Sequence, residues 1–255
     1  MIQCTYADVN YLGSIKDKPL QYHLQKKKRM RLHMAFISIF DVLGPEMIGP
    51  SSSHTAGACS IALLAGKMAD SPITHVEFTL YQSFAKTHKG HGTDLALLGG
   101  IMGFSTDDRR IPLACSVAEE RGLSYRFITD DTDSDTHPNT VDIRMVNDRN
   151  QEMTVRGESL GGGKVRIVKI NQVDVDFTGE YSSLIVIHQD KPGVVAHISK
   201  CLSDCNVNIA FMKLFREEKG AQAYCIVESD ERLPLEITDW INSNPHVYHT
   251  MLVQV

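Results

Sequence analysis

A mixed α/β chain of the α+β kind, divided into two domains, is predicted by three features of the sequence. Alternating β-branched and aromatic stretches, such as Ile73-Thr74-His75-Val76-Glu77-Phe78-Thr79-Leu80-Tyr81, recur between stretches with helical spacing. The pattern changes character after a polar stretch at Asp174–Glu180. The length, 255 residues, suffices for two ordinary domains. Hydrophobic residues make up 42% and charged residues 22%, the balance of a soluble globular protein. A net charge of −5 gives no reason to expect nucleic acid. No apolar run approaches the roughly 20 residues needed to span a bilayer, so no membrane partner is expected.

Residues 1–33 differ from the rest and end in the basic cluster Lys26-Lys27-Lys28-Arg29 with Arg31 behind it. They match neither a signal nor a transit peptide and are expected to be a disordered extension. The first domain is expected over 34–172. It opens with an apolar stretch from Ala35 to Leu43, a short helix or strand. Next comes Ile48-Gly49-Pro50-Ser51-Ser52-Ser53-His54-Thr55-Ala56-Gly57, then Ala56–Ala69 with helical composition, stopped by Pro72. The string therefore reads as a loop feeding a helix N-terminus. Unpaired N–H groups and a partial positive charge there suit a carboxylate or phosphate. An N-cap needs one hydroxyl. This loop carries Ser51, Ser52, Ser53 and Thr55, plus His54, which can move a proton near neutral pH. A binding or catalytic loop is the stronger reading.

After the strand Ile73–Tyr81 comes Lys89-Gly90-His91-Gly92-Thr93-Asp94, which repeats the theme of small residues, a histidine, a hydroxyl and a carboxylate before an apolar helix, Leu95–Met102. Taken alone, this string serves equally well as a capped glycine turn. A helix is expected from Asp107 through Glu120 and a strand over Ser124–Ile128. Thr129–Asp135 carries four aspartates but lacks the glycine and closing glutamate of a Ca²⁺ loop, so it reads as a solvated acidic loop. In His137-Pro138-Asn139-Thr140, proline fixes the backbone while its neighbours offer hydrogen bonds to a site. Val141–Val146 and Gln151–Gly157 read as strands joined by a turn, followed by three glycines within Ser159–Gly163 and a strand Lys164–Ile170.

Residues 173–182 are expected to be a linker. The second domain, 183–255, reads as strand Ser183–His188, helix Val194–Asp204, strands Val207–Phe215 and Ala221–Glu228, helix Leu233–Asn242 and strand Val247–Val255. That β-α-β-β-α-β order is the ferredoxin-like arrangement. The six cysteines form no C-x-x-C pair and, with no secretory signal, are expected as free thiols in a reducing cytoplasm. Cys201 and Cys205 share a helix face, where core packing outweighs a metal site.

The second domain, with its strand followed by His188-Gln189-Asp190-Lys191-Pro192-Gly193, resembles the ACT domain family. That resemblance implies a small-molecule site or a dimer interface at Asp190, Pro192 and Gly193. Residues 36–170 resemble the β subunit of the bacterial iron–sulfur-dependent L-serine dehydratases. The resemblance lies in Phe40-Asp41-Val42-Leu43-Gly44-Pro45, Met47–Gly57, Lys89–Asp94, Phe104-Ser105-Thr106-Asp107-Asp108, His137–Thr140 and Gly161-Gly162-Gly163-Lys164, in that order. It implies conversion of L-serine to pyruvate and ammonia, using a [4Fe–4S] cluster and no pyridoxal phosphate. This chain lacks cluster-type cysteine spacing, so no metal ligand is expected in it and the cluster is expected on a partner α subunit. The implied division of labour gives the substrate carboxylate to Ser51, Ser52, Ser53 and Thr55, and makes His54 the general base. His91, Thr93 and Asp94 form a second wall, Asp94 fixing a histidine tautomer or meeting the ammonium, with His137 and Asn139 as lesser contributors. The rival reading is a serine-sensing regulatory module. A serine hydrolase is disfavoured, because the G-x-S-x-G elbow is absent.

Overall fold

Two sheets, one mixed and one antiparallel, carry ten strands, and six α-helices accompany them among the described residues. The computed structural model describes residues 45–132, 135–216 and 218–254. The expected extension 1–33, the apolar element at 35–43 and part of the acidic loop lie outside the described residues.

The first sheet runs β2-β1-β3-β4-β5-β6, with β1 (Ile73–Tyr81), β2 (Ser124–Asp130), β3 (Thr140–Asn147), β4 (Glu152–Gly161), β5 (Lys164–Ile170) and β6 (Val173–Phe177). Only the β1–β2 pair is parallel. Its crossover contains α2 (Gln82–Thr87), α3 (Thr93–Ile101) and α4 (Ala114–Glu120), while α1 (Gly57–Met68) precedes β1. Period-two alternation decides the faces. Val76, Phe78, Leu80, Val141, Ile143, Val155 and Ile167 are buried. Alternate positions carry ion pairs: Glu77 with Arg126, Arg144 with Glu152, Asp142 with Arg156, and Glu158 with Arg166. Helix α1 lies against β4 at Gly157, where any Cβ would stand 2.3 Å from Ile61 Cγ2.

The second sheet runs β10-β7-β9-β8, with β7 (Ser182–Gln189), β8 (Phe211–Arg216), β9 (Gln222–Ser229) and β10 (Val247–Val253), all antiparallel. Helices α5 (Val194–Asp204) and α6 (Ile237–Asn242) pack with Leu184, Val186, Cys225 and Val227. Ile185, Ile187, Tyr224 and Ile226 join the first sheet's core instead. Strand β7 is thus covered on both faces, which accounts for its unbroken buried run from Ser183 to His188.

Several expected boundaries move. The polar link at 173–182 instead contains β6, an edge strand in which Val173, Val175 and Phe177 are buried between exposed aspartates. Its Val-Asp-Val-Asp-Phe alternation is the period of an edge strand with one face in water, although the two aspartates read as a polar link. Strand β8 begins at Phe211 rather than Val207, because α5 ends with Asn206 in a left-handed turn and Val207 N–H bonds back to Leu202 O. Pro234 delays α6 to Ile237. The helix expected from Asp107 is a turn closed by Asp108, a 3₁₀ turn at Ile111–Leu113 and then α4.

Helices α1 and α3 meet through small residues. A Cβ on Gly100 would lie 2.3 Å from the Cys59 carbonyl oxygen and 2.9 Å from Ala62 Cβ. The oxygen is backbone, so relief requires the helices to part. Gly100→Ala is expected to lower stability by about 1–3 kcal/mol, the usual cost of overpacking. Urea unfolding measures this, and an unchanged midpoint would show that the contact yields freely.

Candidate functional site

The loop before α1 folds as a five-residue π turn, Ser52–Ala56. Such turns are rare and frequent at functional sites. Gly49 enters it at φ 135°, and a side chain there would strike Thr55 Cγ2. Ser51 is the cap: its Oγ accepts the His54 N–H at 3.1 Å. Thr55 is buried and donates its hydroxyl to the His91 carbonyl at 2.9 Å, tying this loop to the one before α3. The Ser53 carbonyl accepts the hydroxyl of buried Ser159 at 2.9 Å. The Ser52 and Ser53 hydroxyls make no hydrogen bond among the described residues, and both side chains are half-buried.

His54 is held from every side. Its Nε2 lies 2.9 Å from Ser83 Oγ and its Nδ1 3.4 Å from Ser51 Oγ. The His91 ring stands edge-on at 4.8 Å between centroids, and Phe84 at 5.5 Å. Burial lowers the His54 pKa below its ordinary 6.5, and nearby His91 lowers it further. The imidazole is therefore neutral at pH 7 and able to accept a proton.

Ser83 and Phe84 reach His54 because the chain turns sharply after β1. Gln82 takes φ 40°, a left-handed backbone that non-glycine residues seldom adopt. Its side-chain amide donates to the Thr136 carbonyl, and the Ser83 N–H donates to the Pro138 carbonyl at 2.9 Å. The end of β1 is pinned by Tyr81, whose hydroxyl donates to Asp142 at 2.8 Å while Arg156 spans the same carboxylate with two bonds of 2.6 Å. Burial and the Asp142 carboxylate push the Tyr81 phenol up to about 12.

His91 touches His54, and Thr93 is fully buried two residues on. Asn139 joins through Ser159, whose N–H it accepts at 2.9 Å. His91 Nδ1, Thr93 Oγ1 and Asn139 Oδ1 are buried atoms without a hydrogen-bond partner. Asp94 bonds neither imidazole; its carboxylate accepts the Leu95 N–H at the start of its own helix, contrary to the tautomer-fixing role expected for it. His137 accepts the Asn139 N–H at 3.3 Å and lines a separate cleft with Arg156, Glu158 and Lys169. In the second sheet, Asp190 accepts the Gly220 N–H and an Arg216 bond, each at 3.0 Å, and those bonds hold its carboxyl below the usual range. It clasps the β8–β9 hairpin, beside Gly193 at φ 93°.

Sequence reading missed Ser83 and Ser159. For Ser159 a signal existed: it occupies an inward position after Val155 and Gly157, where an apolar residue belongs. For Ser83 there was none, since a serine opening a helix is ordinary.

Residues 38–121 match the family of serine dehydratase beta chains. The chain is 36% identical over 214 residues to the probable L-serine dehydratase beta chain of Bacillus subtilis, covering 84% of this chain and 96% of that one. It is 42% identical over 200 residues to the L-serine dehydratase beta chain of Peptoniphilus asaccharolyticus, covering 78% and 90%. It is also 27% identical over 199 residues to the D-3-phosphoglycerate dehydrogenase of Bacillus subtilis, covering 78% of this chain but 37% of that enzyme.

The geometry around His54 has a direct consequence in solution. Its imidazole is expected to titrate below 6.5, and His91→Gln to raise the midpoint part of the way, burial being the larger cause. NMR titration reads both values, and an unshifted wild-type midpoint would contradict the packing described.

Proposed function

The chain belongs to the family of L-serine dehydratase beta chains, and on that premise we propose that it is the β subunit of an L-serine ammonia-lyase, converting L-serine to pyruvate and ammonia with an iron–sulfur α subunit. One observation carries this reading: a single half-exposed loop presents a neutral, firmly held imidazole beside two uncommitted hydroxyls.

The elimination removes the α-proton and the β-hydroxyl of serine. Ser52 and Ser53, with the free N–H groups of the turn, hold the substrate carboxylate. Ser51 and Thr55 shape the loop, since their hydroxyls are engaged within it. His54 accepts the α-proton. His91, Thr93 and Asn139 offer their unpartnered polar atoms to the substrate and Asp94 supplies negative charge for the ammonium, whereas His137, in a separate cleft, plays no direct part.

The described residues do not make a fit for an iron–sulfur cluster. Among the described residues no three His, Cys, Asp or Glu side chains converge as metal ligands. Burial raises the Cys59 thiol to about 12 and the Cys225 thiol to about 11, so neither is a ready thiolate. The proposal therefore assigns the cluster to the α subunit.

The second sheet is read as an ACT domain, a reading supported by its β-α-β-β-α-β order and strand sequence. Phe211 and Leu214, exposed on edge strand β8, support its self-association. A second reading, a serine-sensing regulatory module, is favoured by the similarity to a dehydrogenase of which this chain spans only 37%.

Reconstitution with an α subunit under anaerobic conditions tests the proposal. Serine dehydration is expected only from the pair, and His54→Ala is expected to reduce kcat by about 10²–10⁴-fold, the usual yield of general-base catalysis. Serine binding by the chain with no activity in any pairing would favour the regulatory reading.

A further inference from the structure

We propose that Ser159 is the positioning residue that keeps the loop before α1 in its π form. Its hydroxyl enters the helix ladder at the place where an α turn would bond Gly57 back to Ser53. The consequence for catalysis rests on the lyase reading, whereas the structural content stands without it.

In an α-helix each N–H bonds to the carbonyl four residues back, which for Gly57 is that of Ser53. Here the Gly57 N–H bonds to the Ser52 carbonyl, five residues back. The slip begins at Ser51, whose carbonyl accepts the Thr55 N–H at 2.8 Å and the Ala56 N–H at 3.3 Å. The Ser53 carbonyl accepts the Ser159 hydroxyl at 2.9 Å. A carbonyl can only accept, so the direction of that bond is fixed. Helices depart from their regular ladder where a side chain inserts into it, and a π turn is one form the departure takes.

Gly57 supplies the opening. A Cβ there would lie 2.0 Å from Ser159 Oγ and 2.8 Å from Ser159 Cβ, so the serine fills the space of the missing side chain. Gly57 has φ −61° and ψ −42°, ordinary helical values, so its small size serves this contact and not a left-handed turn. Ser159 is anchored outside the loop. It is fully buried in β4, opposite Val165 of β5, and its N–H bonds to the Asn139 carbonyl at 2.9 Å. A buried hydroxyl without an acceptor is costly, which keeps the bond to Ser53 in place. The sheet thereby imposes the turn on the loop. Ser52, Ser53 and His54 all lie inside that turn. Were the Gly57 N–H to move to the Ser53 carbonyl, these residues would rotate relative to α1, and His54 would leave Ser83 and His91. Ser159 acts through the backbone of the loop and need not touch the substrate.

The test is NMR of the full chain, deuterated and labelled with ¹⁵N and ¹³C, reading the scalar coupling that passes from an amide nitrogen through its hydrogen bond to the accepting carbonyl carbon. In wild type the Gly57 nitrogen is expected to couple to the Ser52 carbonyl. Ser159→Ala is expected to move that coupling to the Ser53 carbonyl. Gly57→Ala, which keeps the Ser159 hydroxyl but denies it its place, is expected to do the same. In the complex with the α subunit, both variants are expected to lower kcat/KM about tenfold or more, the usual scale for misplaced reacting groups. A wild-type coupling to Ser53 overturns the inference without recourse to any variant. So does a Ser159→Ala coupling that stays on Ser52. A coupling that moves while kcat/KM stays at the wild-type value overturns the positioning role. Wild-type complex that fails to dehydrate serine would defeat the lyase reading, while the couplings still decide whether Ser159 holds the turn.

Discussion

The close approach of α1 and α3 is the constraint on which the site depends. Each helix is preceded by a loop bearing a histidine, His54 in one and His91 in the other. Gly100 lets the Cys59 turn come so near that no other residue fits between them, and Gly66 similarly faces the Ile101 carbonyl. With the helices at that spacing, the Thr55 hydroxyl reaches the His91 carbonyl and the two imidazoles meet edge to face. Close-packed helices are not continuously deformable, so small residues in the contact become precision at the loops.

That precision divides four similar hydroxyls into two kinds. Ser51 and Thr55 are used up in shaping the turn, whereas Ser52 and Ser53 are left open. A helix cap would have needed only the first. The buried, unpartnered atoms of His91, Thr93 and Asn139 extend the same imbalance across the site. Unmet polar groups are costly in a folded protein, and of these three residues His91 is the one packed directly against the His54 ring.

Much of the secondary structure was legible because its period was clean. The bounds Ile73–Tyr81, Lys164–Ile170 and Val194–Asp204 could be read directly from alternation or helical spacing. Strand β6 has an equally clean period, but its aspartates read as linker polarity, and the onset of β8 was hidden by a left-handed turn at Asn206 that no periodicity records. At the site, the hydroxyl-and-histidine strings stood out by composition. What composition could not convey was which of them spend their bonds on each other. Ser83 lies 29 residues from His54 and owes its place to a strained turn and a carbonyl at Pro138, both products of tertiary structure. Asp94 looked like a partner for histidine by proximity in sequence, but the first turn of α3 claimed its carboxylate.

If helix spacing governs the imidazole, a change remote from both loops must be felt at His54. The most direct measurement is the NMR titration of His54 in folded Gly100→Ala protein. Gly100 touches neither loop, yet parting α1 from α3 should loosen the His54–His91 contact and admit water. The account predicts that the His54 midpoint rises from its depressed value toward 6.5. A midpoint identical to wild type, in a variant whose unfolding shows the expected loss of stability, would mean that the loops hold the site by themselves and would contradict the account.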